Sequence, residues 1–110
     1  VDEYLIDAVI GVSGSSPAYV YMFIEALADG AVAAGMSRDK AYVFAAQTVM
    51  GAAKTVLETG EHPGKLKDNV CSPGGTTIAA VRALEERGFR SAVMEAVMTA
   101  AEKSREMSKK

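Results

Sequence analysis

The chain has 110 residues, 49% of them apolar and only 6% aromatic, and its 12 basic and 14 acidic side chains leave a formal net charge of −2. That length suits one domain with a core that needs neither disulfides nor metal, and the near-balanced charge excludes the basic footprint of a nucleic-acid-binding protein. The single cysteine, Cys71, excludes an internal disulfide framework and points to a reducing compartment.

In chain order, residues 2–9 predict a short helix with Asp2 or Glu3 at its positive end. Gly11 and Gly14 break the pattern within GVSGSSPAY, where Ser16 is placed to cap and Pro17 to open a second helix. That helix is expected over residues 17–34. Val20, Phe23, Ile24, Leu27, Ala28 and Ala31 form its single apolar stripe, and Gly35 follows as its C-terminal stop. Ser37 is read as the cap of a long third helix over residues 38–59, ended by Gly60. Residues 62–70 predict a short helix with Pro63 at its start. Thr76 or Thr77 opens a fifth helix that Gly88 stops, and Phe89, Val93, Ala96, Val97, Ala100 and Ala101 mark one face of a last helix. The mixed charges of residues 103–110 read as cations favouring that helix's C-terminus. No alternating strand is visible, so the expected fold class is all-α with about six helices.

The third helix is unusual. Between Ala41 and Leu57 it is apolar almost all the way round, with small residues at Ala45, Ala46, Gly51, Ala52 and Ala53. A helix apolar on all sides is buried on all sides, and one domain of this size has few helices to surround it. A second copy of the chain is the simplest solution, which predicts an obligate homodimer with interleaved helices. The same run is interrupted by Gln47 and Lys54 and falls short of the roughly 18 uncharged residues of a membrane span, so no membrane partner is expected. No signal peptide is visible. The chain opens on Val1 rather than Met, which suggests a trimmed piece or a processed start.

Few segments offer chemistry. CSPGGTTI, residues 71–78, places two glycines just before a helix, where the backbone can approach a ligand and the first amides of the helix point outward. A carboxylate or phosphate fits such a place, and Ser72, Thr76 and Thr77 add hydroxyls. An ordinary turn with a threonine cap explains the same letters. It is not a P-loop, because the G-x-x-x-x-G-K-[ST] spacing is missing. Cys71 lacks an evident base and reads as a small buried side chain. His62 with Glu61 and Asp68 matches no standard metal spacing and reads as a polar residue at a helix start, so no metal is expected. Met22, Met36, Met50, Met94 and Met98 read as core filling. The SGSSP loop reads as a capped helix start.

Three segments together carry a resemblance: SGSSPAYVYMFIEALADGAVAAGMSRDKA, then AAQTVMGAAKTVLETGEHPGKLKDNV, then SPGGTTIAAVRALEERGFRSAVMEAV. In order, spacing and the S-P-G-G-x-T motif, the chain resembles the C-terminal domain of the pyrroline-5-carboxylate reductases from about Leu5 to Ser104. The resemblance implies an interleaved helical dimerisation domain, like the C-terminal domain of 6-phosphogluconate dehydrogenase. In the family it follows an N-terminal Rossmann domain, which is absent from these residues. It implies part of an oxidoreductase that reduces 1-pyrroline-5-carboxylate to L-proline, the last step of proline biosynthesis. NADPH or NADH would be bound mainly by the missing domain. Homodimers, which in the family assemble further into decamers, and a cytoplasmic location are also implied.

Carried over residue by residue, the resemblance implies that Ser72 and the backbone of Gly74, Gly75 and Thr76 hold the substrate carboxylate. It implies that the Thr77 hydroxyl approaches the imine nitrogen as the catalytic residue, in the manner of a positioner or relay. Val70 flanks the substrate and Asn69 the nicotinamide. The proton comes from water, or the imine enters protonated; the letters do not decide. Two departures stand out. Ser16 replaces a glycine of the family's G-S-G-P-A, and is expected to serve as an N-cap. Cys71 stands where a hydroxyl residue is more usual. The fragment alone is expected to dimerise without reducing substrate. The competing expectation is a non-catalytic dimerisation module, or a reductase-like protein with a regulatory role.

Overall fold

A computed structural model describes residues 3–109. The regular structure among them is entirely helical: α1 (Glu3–Val9), a π-helical turn (Ile10–Gly14), α2 (Ser16–Ala33), α3 (Arg38–Thr59), α4 (Pro63–Val70), α5 (Thr76–Glu86) and α6 (Phe89–Ser108). The all-α expectation holds, and the third helix begins and ends where Ser37 and Gly60 place it. Asp2, the alternative residue for the start of α1, lies outside the described residues. The chain divides into two compact units, one of residues 1–20 and 82–110 and the other of residues 21–81.

In the first unit, α1 and the π-helical turn pack on α6. The sequence expectation fails here, because Gly11 and Gly14 do not interrupt the helix. The Ser15 amide donates to the Ile10 carbonyl five residues back at 2.8 Å, which carries the chain from α1 through a widened turn into α2. The reason lies at Gly11, which is buried: a Cβ there would sit 2.7 Å from the carbonyl oxygen of Val97 on α6. Gly11 therefore serves helix-to-helix approach. Ser16 also departs from its expected role. Its hydroxyl donates backward to the Val12 carbonyl and does not cap α2. Two side-chain bonds tie the ends of this unit together: Tyr19 Oη donates to the Ala96 carbonyl at 3.3 Å, and Ser104 Oγ donates to Asp7 Oδ1 at 2.8 Å. Of the expected α6 face, Ala96, Val97, Ala100 and Ala101 are half-buried, while Phe89 and Val93 remain more exposed.

The second unit has a core of small residues: Ala28 of α2 with Ala41 and Ala45 of α3, flanked by Ile24, Ala31 and Val32. The end of α2 is a Schellman motif. Gly35 has φ +111, its amide donates to the Val32 carbonyl at 2.9 Å, and the Met36 amide donates to the Ala31 carbonyl at 2.9 Å. Ser37 takes the extended backbone of a cap residue, but its hydroxyl makes no capping bond. Arg38 pairs instead with Asp29 near the end of α2, and this hydrogen bond holds the guanidinium above its already high ordinary range. Both partners are well exposed, so the pair contributes little to stability.

Along α3 only one line of residues turns inward: Ala41 and Ala45 are buried, and Val49 and Val56 half-buried. The rest of its apolar surface stays open, with Val43 66%, Phe44 59%, Met50 57% and Leu57 83% exposed. Met22, Met36, Met50, Met94 and Met98 likewise stay exposed and do not fill the core of the single chain.

Candidate active site

Residues 69–77 lie within the second unit and join α4 to α5. The connection is short and backbone-ordered. At the end of α4 the Cys71 amide donates to the Asp68 carbonyl at 3.0 Å. The Gly75 amide then donates to the Ser72 carbonyl at 3.0 Å, closing a turn with Pro73 at its second position and Gly74, at φ +69, at its third. This is the pattern of a type II turn, in which proline presets the first corner and glycine supplies the positive φ of the second. Gly75 is also confined: a Cβ there would meet the Ser72 carbonyl oxygen at 3.3 Å and the Ser72 Cβ at 3.4 Å. The turn delivers the chain directly to Thr76, the first residue of α5, and so settles which threonine opens that helix.

The turn also distributes the donors. The Gly75 amide is engaged within it, which removes Gly75 from the set of free backbone donors. The amides of Gly74, Thr76 and Thr77 make no backbone bond in the chain, and the hydroxyls of Ser72, Thr76 and Thr77 bond to no other described residue. Ser72, Gly74 and Thr76 are exposed, while Gly75 and Thr77 are half-buried. The result is a short run of outward donors at the positive end of a helix of 11 residues. Such a cluster can bind a carboxylate, with the Thr77 hydroxyl one position further into the helix.

The structure sets the remaining candidates around this turn or away from it. Asn69 and Val70 close α4 just before the turn, with the Val70 side chain 62% exposed. Cys71 is a free thiol and is half-buried, not enclosed as expected. No group of metal-ligating side chains occurs among the described residues. His62 has a different occupation, one the sequence reading left unspecific. Its Nδ1 accepts the Gly64 amide at 2.9 Å and caps α4. The signal was present as His-Pro-Gly, since Pro63 can take the first helical position and Gly64 leaves room for the ring. A shallow groove also runs along α6, lined by Tyr19, Ala96, Ala100 and Met107 among others, and no expected site residue lines it.

Residues 3–107 match the family profile described as pyrroline-5-carboxylate reductase dimerisation. The chain is 69% identical over 109 residues to a pyrroline-5-carboxylate reductase of Escherichia coli, covering 99% of this chain and 40% of that protein. It is 59% identical over 107 residues to the Glycine max protein of the same name, covering 97% of this chain and 39% of the relative. Among solved structures, the pyrroline carboxylate reductase of Plasmodium falciparum with NADP bound superimposes with a TM-score of 0.93 at 40% identity, over 97% of this chain and 41% of that one. A pyrroline-5-carboxylate reductase from Coxiella burnetii gives a TM-score of 0.92 at 36% identity, over 96% and 39% of the two chains. The chain thus spans about 40% of the length of the curated relatives it matches.

Proposed function

The chain belongs to the pyrroline-5-carboxylate reductase dimerisation family, and on that premise we propose that it supplies the assembly surface and the substrate loop of a reductase that converts 1-pyrroline-5-carboxylate to L-proline. The observation that carries this reading is the Ser72–Gly75 turn. It ends on a helix start whose free amides and hydroxyls suit a carboxylate, in a chain 69% identical to a named reductase. The Gly74 and Thr76 amides and the Ser72 hydroxyl hold the carboxylate. Gly75 shapes the turn that presents them. Val70 packs against the ring.

The Thr77 hydroxyl donates to the imine nitrogen, which polarises the C=N bond and fixes the ring's orientation. A threonine hydroxyl is too weak an acid to be the source of the proton, so its part is to position the ring and to relay to the nitrogen a proton supplied by water. The nicotinamide cofactor, NADPH or NADH, supplies the hydride that goes to the imine carbon. Its dinucleotide does not fit these residues alone: the described residues contain no strand, and hence no strand, glycine-loop and helix unit to hold a pyrophosphate. We assign that binding to a Rossmann domain outside these 110 residues, with Asn69 reaching the nicotinamide end.

The open apolar surface of α3 is the ground for proposing a homodimer of interleaved helices, on which a decamer can be built. No helix among the described residues is long and apolar enough to cross a membrane, and a cytoplasmic site of action is proposed.

The test is Thr77→Ala in the whole protein carrying this chain, assayed for cofactor oxidation with pyrroline-5-carboxylate. A positioned proton-transfer group is worth ~10² to 10⁴ in rate, so kcat should fall by that order with dimerisation unchanged. A near-normal kcat removes Thr77 from the chemistry, and absence of any reduction by the unaltered protein sinks the reading.

A further inference from the structure

We propose that His62 is a positioning residue of the substrate loop, acting through a helix cap that exists only while its imidazole is neutral. The inference rests on the reductase reading for its functional arm and on the geometry of α4 for the rest. His62 holds the extended backbone of an N-cap, φ −62 and ψ 132, and its Nδ1 accepts the Gly64 amide at 2.9 Å. An acceptor nitrogen carries no proton, so the neutral ring bears its hydrogen on Nε2. A proton added to Nδ1 abolishes the acceptor. It also sets a positive charge against the first amides of the helix, where the helix dipole disfavours a cation.

The sequence is built around this contact. Pro63 needs no partner for an amide, and the Lys65 and Leu66 amides both reach the His62 carbonyl, at 3.0 and 3.2 Å. That leaves the Gly64 amide to the ring. Glycine at position 64 leaves the ring in place: a Cβ there would lie 2.9 Å from Nδ1 and 3.1 Å from Cε1. Glu61 pairs with Lys65 and Lys67 with Asp68, each at 3.3 Å, and among the described residues no charged group of another element joins these pairs.

Consequences for the loop follow from length. A helix of eight residues has no stability of its own, so its end caps weigh heavily. Its last residues are Asn69 and Val70, and the Cys71 amide that starts the turn hangs on the Asp68 carbonyl. Loss of the cap frays α4 toward the turn and loosens the donors that hold the carboxylate. The effect should show in substrate affinity before it shows in the rate of the bound complex.

The experiment uses the whole protein with three variants: His62→Asn, which caps without titrating; His62→Ala, which cannot cap; and Gly64→Ala, which displaces the ring while leaving His62 in place. At pH 7.5 the long-range nitrogen–proton spectrum of His62 should show the Nε2–H tautomer; an Nδ1–H tautomer overturns the proposal. On lowering the pH from about 7.5 to about 5.5, the wild-type KM should rise about fivefold relative to that of His62→Asn, with kcat nearly equal. Taking the ratio cancels the titration of the substrate. His62→Ala and Gly64→Ala should show the raised KM at both pH values. A ratio independent of pH in an active enzyme overturns the positioning role. Failure of the reductase reading looks different, as absence of activity at pH 7.5. In that event amide exchange of residues 64–75 still decides: faster exchange at low pH in the wild type but not in His62→Asn supports the coupling, and equal exchange overturns it.

Discussion

Gly11 and Gly51 are both glycines in the middle of apolar helical stretches, yet they do opposite things. At Gly11 a single added carbon would strike the Val97 carbonyl at 2.7 Å, whereas at Gly51 it would meet no described residue beyond its own helical surroundings within 4 Å. The first is a contact completed inside one chain, where the π-helical turn and α6 press backbone against backbone. The second lies on α3, whose side chains Val43, Phe44, Met50 and Leu57 are well exposed. A small residue in an apolar helix permits close approach in both places, but among the described residues only Gly11 meets a neighbour. The buried core beneath α3 is three alanines among the described residues, and much of the apolar surface of that helix stays exposed.

The largest expected effect lies on the open side. Leu57 is 83% exposed and Val43 66% exposed, so replacing both with Asp alters little that the single chain has already buried. If α3 is enclosed by a second copy, two carboxylates set into an apolar interface leave it with unpaired buried charges. The double variant should be monomeric at micromolar concentration by sedimentation, with its helical circular dichroism reduced because the folded state is linked to assembly. An unchanged dimer would mean that the open face of α3 is not the interface.

Gly11→Ala probes the closed side and should cost about 1–3 kcal/mol. The sign is a contest. Alanine is the better helix former by about 1 kcal/mol, but here the obstacle is a backbone carbonyl, which cannot rotate aside like a side chain. The clash should win, lowering the midpoint of urea denaturation at fixed protomer concentration. A gain in stability would show that the π-helical turn and α6 have room to separate.

These contrasts also show what the letters could carry. Helix positions were legible because their stops depend on one residue each: Gly35 and Gly60 adopt positive φ where the sequence places a helix end. The turn at Ser72–Gly75 was legible in the same way, since proline and glycine preset its two corners. Hydroxyl caps were not. Ser16 and Ser37 both precede apolar helical runs, yet Ser16 bonds backward to Val12 and Ser37 makes no side-chain cap. A serine has several backbone groups within reach, and the local letters do not choose among them. The Gly11 contact was illegible for a different reason. Its partner, Val97, is far along the chain, and the same glycine alone reads as a breaker. Engagement of the Gly75 amide, which alters the donor set of the candidate site, depends on the turn bringing the Ser72 carbonyl to 3.0 Å from it.

The smallest effect is expected from Ser104→Ala. The Ser104 hydroxyl donates to Asp7 at 2.8 Å and joins the last helix to the first across the full length of the chain. The site is only half-buried, so water can replace the hydroxyl at the carboxylate, and the loss should be near the ~1 kcal/mol of an ordinary intramolecular hydrogen bond. Because both partners lie in the closed unit, the variant should destabilise α1 against α6 without changing the subunit dissociation constant beyond what the folding linkage requires. Measuring both quantities on the same sample separates the two. A dissociation constant that shifts more than the folding free energy would show that α1 and α6 also contribute to the surface between copies, and that the closed unit is less self-sufficient than the Gly11 contact implies.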